Sequence, residues 1–267
     1  MQETNKYIIE ALLDEKKNGT KGRLYHHLMV KMTYNSNHIE GSKLSEDETR
    51  LIYETKTISL PDHAVPVDNI IETVNHFRAI DYVLNTFAEP LDQKYIQTIH
   101  RILKQGTMQA SQKAYTPGEF KTLPNEVGGM ETVPPEKVGT EINALIKSYK
   151  QNHITFEGVL DFHVKYERIH PFQDGNGRTG RLILLKECLR NNIIPFIIHD
   201  EVKFFYYRGL KEWFTTPGYL TDTCLTCQDH FKKVCTNLRI PFTENPAEKQ
   251  KETPKHKEDK PYRGPHW

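Results

Sequence analysis

Apolar residues recur at intervals of three and four along most of the chain, and alternating strand-like stretches are nearly absent. The pattern therefore predicts an all-α protein. Ile8, Ile9, Leu12 and Leu13 form a first stripe that Gly19 closes, and Leu24, Leu28 and Met32 begin a second helix that runs to Gly41. Ser45 and Glu48 read as a capping box for the next helix. Long helical stripes follow from Val67 to Leu84, from Tyr95 to Leu103, from Val138 to Ile146 and from Phe156 to Ile169. After an almost wholly apolar helix around Leu182 to Leu189, two more are predicted at Phe204 to Phe214 and at about Thr221 to Leu238. The texture breaks once, between 107 and 135, where prolines and glycines surround Tyr115, Phe120, Val127 and Val133. A small β-hairpin flap fits that stretch better than a linker.

Composition narrows the function. Lys and Arg total 36 against 35 Asp and Glu, so a net charge of +1 supplies no global field for nucleic acid or an anionic membrane. No apolar run is long enough to span a bilayer, and the first residues lack a signal-peptide pattern, so a cytoplasmic protein is expected. Four cysteines suit a reducing compartment. Cys224, Cys227, His230 and Cys235 admit a zinc reading, yet Leu220, Cys224, Cys227, Phe231, Val234 and Leu238 share one helical face, which favours thiols packed in a core.

The chemistry concentrates in His170 to Arg181, reading HPFQDGNGRTGR. Gly175, Gly177 and Gly180 satisfy G-x-G-x-x-G, but the dinucleotide fingerprint needs a strand before it, and here a helix precedes. What remains is a backbone that an anion can approach and a helix N-terminus with unpaired N–H groups. Arg178 and Arg181 sit three apart in that first turn, so both can face a di- or triphosphate. Asp174 beside phosphates calls for a bridging Mg²⁺. His170 is placed to take a proton from an attacking hydroxyl. The bland alternative is an ordinary turn followed by a solvated Arg-x-x-Arg face.

This stretch resembles the motif of the Fic family, HPFx[D/E]GNGRxxR, at every defined position. The resemblance spans about residues 24 to 240. It implies a Fic fold, a helical bundle with a small β-hairpin flap, and transfer of AMP from ATP to a Ser, Thr or Tyr hydroxyl of a protein target with release of pyrophosphate. It further implies His170 as general base, Asp174 as Mg²⁺ ligand, Gly175, Asn176 and Gly177 as an anion hole, and Arg178 and Arg181 as phosphate holders, with Gly180 counted in the nucleotide loop. Phe172 would anchor the loop. Lys121, Thr122, Leu123 and Pro124 would clamp target backbone, and Tyr206 and Tyr207 resemble the pair that lines the adenine pocket. Gly177 stands where the phosphorylating Doc-like branch carries lysine.

Ser36 to Gly41 resembles the family's inhibitory motif, (S/T)xxxE(G/N), with Ser36 and Glu40 on one helical face and Glu40 expected to pair with Arg181. The chain divides on this reading into N-terminal helices including the inhibitory one (1–60), a catalytic core (61–242) and a polar tail (243–267). Open alternatives are a catalytically silent Fic-fold binding module, transfer of another nucleotide or phosphocholine, self-modification, and removal of AMP. The expected partners are ATP and a protein with an exposed hydroxyl, without nucleic acid or membrane; a homodimer is left open.

Overall fold

The computed structural model describes residues 5–59, 64–151 and 153–243. The boundary read near residue 60 and the tail from 244 onward lie outside the described residues.

Ten α-helices occur among the described residues: α1 (Lys6–Asn18), α2 (Leu24–Ile39), α3 (Glu46–Thr55), α4 (Val67–Thr86), α5 (Gln93–Lys104), α6 (Val138–Lys150), α7 (Phe156–Ile169), α8 (Asn176–Arg190), α9 (Lys203–Glu212) and α10 (Gly218–Asn237). Their ends follow from local chemistry. Gly19 caps α1 at φ 62°, the Ser45–Glu48 capping box opens α3, Asp92 and Thr155 accept backbone N–H bonds at the starts of α5 and α7, and Gly175 at φ 80° precedes α8. No helix among the described residues is long and apolar enough to cross a membrane.

Helix α8 is the axis of the fold. Nearly all of its side chains are buried, charged ones included, and α2, α4, α5 and α7 pack around it. One apolar cluster runs from α1 through α8 to the C-terminal half of α10, and a second joins α7 and α8 to α9 and the N-terminal half of α10. Cys224 and Cys227 belong to the second cluster and Cys235 to the first, while His230 lies against His199 with ring centroids 5.4 Å apart.

The flap is smaller than the sequence pattern suggests. Its strands β1 (Glu126–Val127) and β2 (Met130–Glu131) pair antiparallel across Gly128 and Gly129, both at positive φ as a tight hairpin turn requires. Lys121 to Pro124 precede the strand pair rather than forming it.

Candidate active site

His170 ends α7 in the left-handed region at φ 50°, and Pro171 after it has no N–H to continue the helix. The chain then crosses to α8 in a tightly braced loop. Asn176 Oδ1 accepts from Phe172 N–H and its Nδ2 donates to Phe172 O, each at 2.8 Å. Phe172 stacks on His100 at 3.7 Å between parallel rings. Because His100 Nδ1 accepts the Gly118 N–H, its Nε2 carries the proton and donates to Asp174 O at 2.9 Å. Burial keeps this imidazole neutral, with its pKa lowered to about 3.

The flap is fastened to the same loop. Lys121 N–H donates to Pro171 O at 2.9 Å, and its buried ammonium reaches Asn125 Oδ1, Thr132 Oγ1 and Ile169 O. Asn125 Nδ2 donates to Phe172 O. Lys121 is thus a strut turned inward, while Thr122, Leu123 and Pro124 of that segment are exposed.

His170 Nδ1 lies 3.2 Å from Glu167 O, a carbonyl that can only accept. The Nδ1 proton is therefore fixed, and Nε2 keeps its lone pair. Burial lowers the His170 pKa and the nearby Lys121 charge adds to the shift, against the pull of the Glu167 carbonyl.

Gly175 is the N-cap of α8, and the first helical backbone bond runs from Thr179 N–H to Gly175 O. The N–H groups of the preceding turn thus point out of the helix toward any anion placed there. The two arginines of this turn diverge. Arg178 pairs with Glu72 on α4 at 2.5 Å, whereas Arg181, only 4% exposed, turns to α2. There its Nε donates to Ser36 Oγ at 2.9 Å, and its Nη2 donates to Ser36 O and Glu40 Oε1, each at 2.8 Å. Burial lowers the Arg181 pKa, and Glu40, Tyr206 and Glu167 together raise it above the usual guanidinium value. The same carboxylate covers Gly177: a Cβ built there would fall 2.2 Å from Glu40 Oε1.

Three further residues of the candidate site also serve the scaffold. The Asn176 side chain is spent on Phe172, which leaves only its backbone N–H for an anion. Gly180 faces away from the helix terminus, where a Cβ would come 2.3 Å from Glu167 Oε1 and 2.9 Å from His163 Cε1, so it is a close-packing glycine. Tyr206 is 1% exposed with its hydroxyl 2.7 Å from His163 Nε2, which makes it a core residue; Tyr207, 45% exposed and near Ile39 O, is the member of the pair that reaches the surface.

Asp174 fits a divalent cation. Burial works against its ionised form, but Arg178 and Lys104 outweigh that and bring its pKa down to about 2. Its side chain is still 39% exposed. No group of three or more metal-ligating side chains occurs among the described residues, so a cation here would draw most of its shell from phosphate and water, as Mg²⁺ does.

Glu72, Lys104, His100 and Glu167 have no counterpart in the sequence reading. Glu167 is 12% exposed in its side chain, but its Oε1 is buried without a hydrogen-bond partner, among His163 on its own helix, Arg181, Glu40 and Tyr206. Burial raises its pKa from 4.5 to about 8, with Arg181 opposing and Glu40 reinforcing. The folded chain therefore keeps a proton that the unfolded chain loses, and stability should fall as pH rises from 4.5 to 8. Glu167→Gln should flatten that part of the curve, checked by urea denaturation between pH 5 and 8.5, roughly spanning the window.

A braced loop carrying an imidazole base, leading into a helix N-terminus flanked by two buried arginines, defines a helical domain built around an anion-facing α8. Residues 90–188 match the Fic/DOC family. It is 28% identical over 183 residues to "Protein adenylyltransferase Fic" of Nematostella vectensis, covering 67% of this chain and 42% of that protein. The Drosophila melanogaster protein of the same description is 28% identical over 200 residues, covering 73% and 39%. The chain thus spans about two fifths of the length of these curated relatives. Among solved structures, a Fic domain containing signaling protein from Bacteroides thetaiotaomicron aligns with a TM-score of 0.70 at 21% identity over 89% of this chain and 99% of that one. Fic-1 from C. elegans aligns at 0.65 and 19% identity over 88% and 73%. At those identities the structural likeness concerns the fold.

Proposed function

We propose that this chain is a protein adenylyltransferase that moves AMP from ATP to a Ser, Thr or Tyr hydroxyl and holds itself in check through Glu40. The observation that carries the reading is His170 Nε2, left as a proton acceptor beside the open N-terminus of α8. In the proposed reaction the target oxygen bonds to the α-phosphorus as the α–β anhydride bond breaks. The hydroxyl proton passes to His170 Nε2, and pyrophosphate departs with the broken bond's electron pair. Backbone N–H groups of the α8 terminus face the phosphates, Asp174 would hold Mg²⁺, and Arg178 and Arg181 would balance the remaining charge. Bound Mg²⁺ would neutralise charge on the leaving group. Tyr207 is the exposed aromatic available to an adenine ring.

Glu40 restrains this site in two ways. It ties up the Arg181 guanidinium and lies against Gly177, on the path of a phosphate toward the helix terminus. Intact-mass spectrometry of the Glu40→Gly chain incubated with ATP, Mg²⁺ and cell lysate is the test. Proteins heavier by one AMP, and none with the added His170→Ala change, are the expected result; unmodified protein throughout would overturn the reading, and a different mass increment would reassign the transferred group.

A further inference from the structure

Four charged side chains close a ring beside the catalytic loop. The Lys104 ammonium on α5 lies between the Glu72 carboxylate on α4 and Asp174, 2.6 Å from Asp174 Oδ2. Across the ring, Arg178 places Nη1 2.5 Å from Glu72 Oε2 and Nη2 3.6 Å from Asp174 Oδ2. Lys104 and Arg178 are buried, and only Asp174 opens appreciably to solvent. Two positive and two negative groups leave the ring neutral, so the loss of any one strands a poorly solvated charge among the other three. Both cations engage the same oxygen of Asp174, Oδ2. Glu72 lies outside residues 90–188, the segment that matches the family.

We propose that Glu72 and Lys104 are positioning residues that set how tightly Asp174 holds a divalent cation in the nucleotide complex. This rests on the adenylyltransferase reading. Lys104 orients Asp174 by occupying Oδ2, and it also competes with any metal for the charge of that carboxylate. Glu72 moderates the competition by taking a share of both Lys104 and Arg178. The two residues therefore act in opposite senses. Without the Glu72 charge, Asp174 becomes the only carboxylate in the ring for two buried cations, and its hold on a metal weakens. Without the Lys104 charge, Asp174 and Glu72 have one cation between them, and the hold tightens.

The test is Mn²⁺ titration followed by electron paramagnetic resonance, in the full chain carrying Glu40→Gly, with α,β-methylene-ATP bound. Glu72→Gln should raise the Mn²⁺ dissociation constant about tenfold, the range typical of partners that orient a metal ligand. Lys104→Met should lower it. General loosening of the fold would weaken binding in both variants, so any result other than opposite shifts overturns the proposal. Asp174→Asn separates the two levels of the reading. If it leaves Mn²⁺ binding intact, the metal assignment fails and the positioning role with it; if it abolishes binding while Glu72→Gln and Lys104→Met match the parent, only the positioning role fails.

Discussion

Glu40→Gly should raise the initial rate of AMP incorporation roughly thirtyfold over the parent chain at the same ATP concentration. The estimate follows from what the carboxylate holds. Removing one partner of a fully buried ion pair costs about 3–5 kcal/mol. Glu40 is 30% exposed and Arg181 keeps both Ser36 contacts, so a value on the order of 2 kcal/mol suits this pair. Each 1.36 kcal/mol is about a factor of ten in rate. Ser36→Ala should release far less, since it removes one hydroxyl contact worth about 1 kcal/mol and leaves the carboxylate over Gly177. Labelling with radioactive ATP measures both, and equal rates for the parent and the Glu40 variant would exclude the brake. A stability signature should accompany the gain. Arg181 loses its counter-charge in Glu40→Gly, so the melting temperature should drop, and added ATP should restore more of it than in the parent.

His170→Ala in the Glu40→Gly background should cut transfer by about 10²–10⁴-fold, the usual contribution of a positioned general base. Nucleotide binding should persist, because the helix terminus and the arginines are untouched. The pH profile tests the environment of the imidazole as well as its presence. Burial and Lys121 lower the His170 pKa from 6.5, so the base stays unprotonated at pH values where an ordinary imidazole is half charged. The acid limb of the rate profile should therefore fall below 6.5; a limb at or above that value would contradict the structure.

Much of this site can be read from local sequence because its parts lie close together in the chain. His170, Asp174 and Gly175 stand on one turn and Ser36 and Glu40 on one helical face, so spacing alone suggests which groups can act together. The Glu72–Lys104–Asp174 link could not be read this way. Its members are 32 and 70 residues apart, and Glu72 and Lys104 look like solvated charges on amphipathic helices until packing brings them to Asp174. Asn176, Gly180 and Tyr206 show the opposite case. Each sits in or near the motif, but its side chain, or the lack of one, serves the scaffold, and only burial and hydrogen bonding reveal that. Lys121 shows how an exposed-looking cation in a polar loop can be a buried strut. The hairpin was legible as a break in helical texture, and its two-residue strands were too short to fix from alternation.

Gly177 ties the two halves of the mechanism to one volume of space. Any side chain at this position would push Glu40 aside and, by the same displacement, fill the approach to the helix terminus. On the proposed reading, restraint and activity cannot be tuned independently here: a substitution that displaces Glu40 also blocks the cradle. Mutations that unleash activity should instead map to α2, where Glu40 can be lost without touching the cradle, and position 177 should tolerate little besides glycine in any variant selected for transfer.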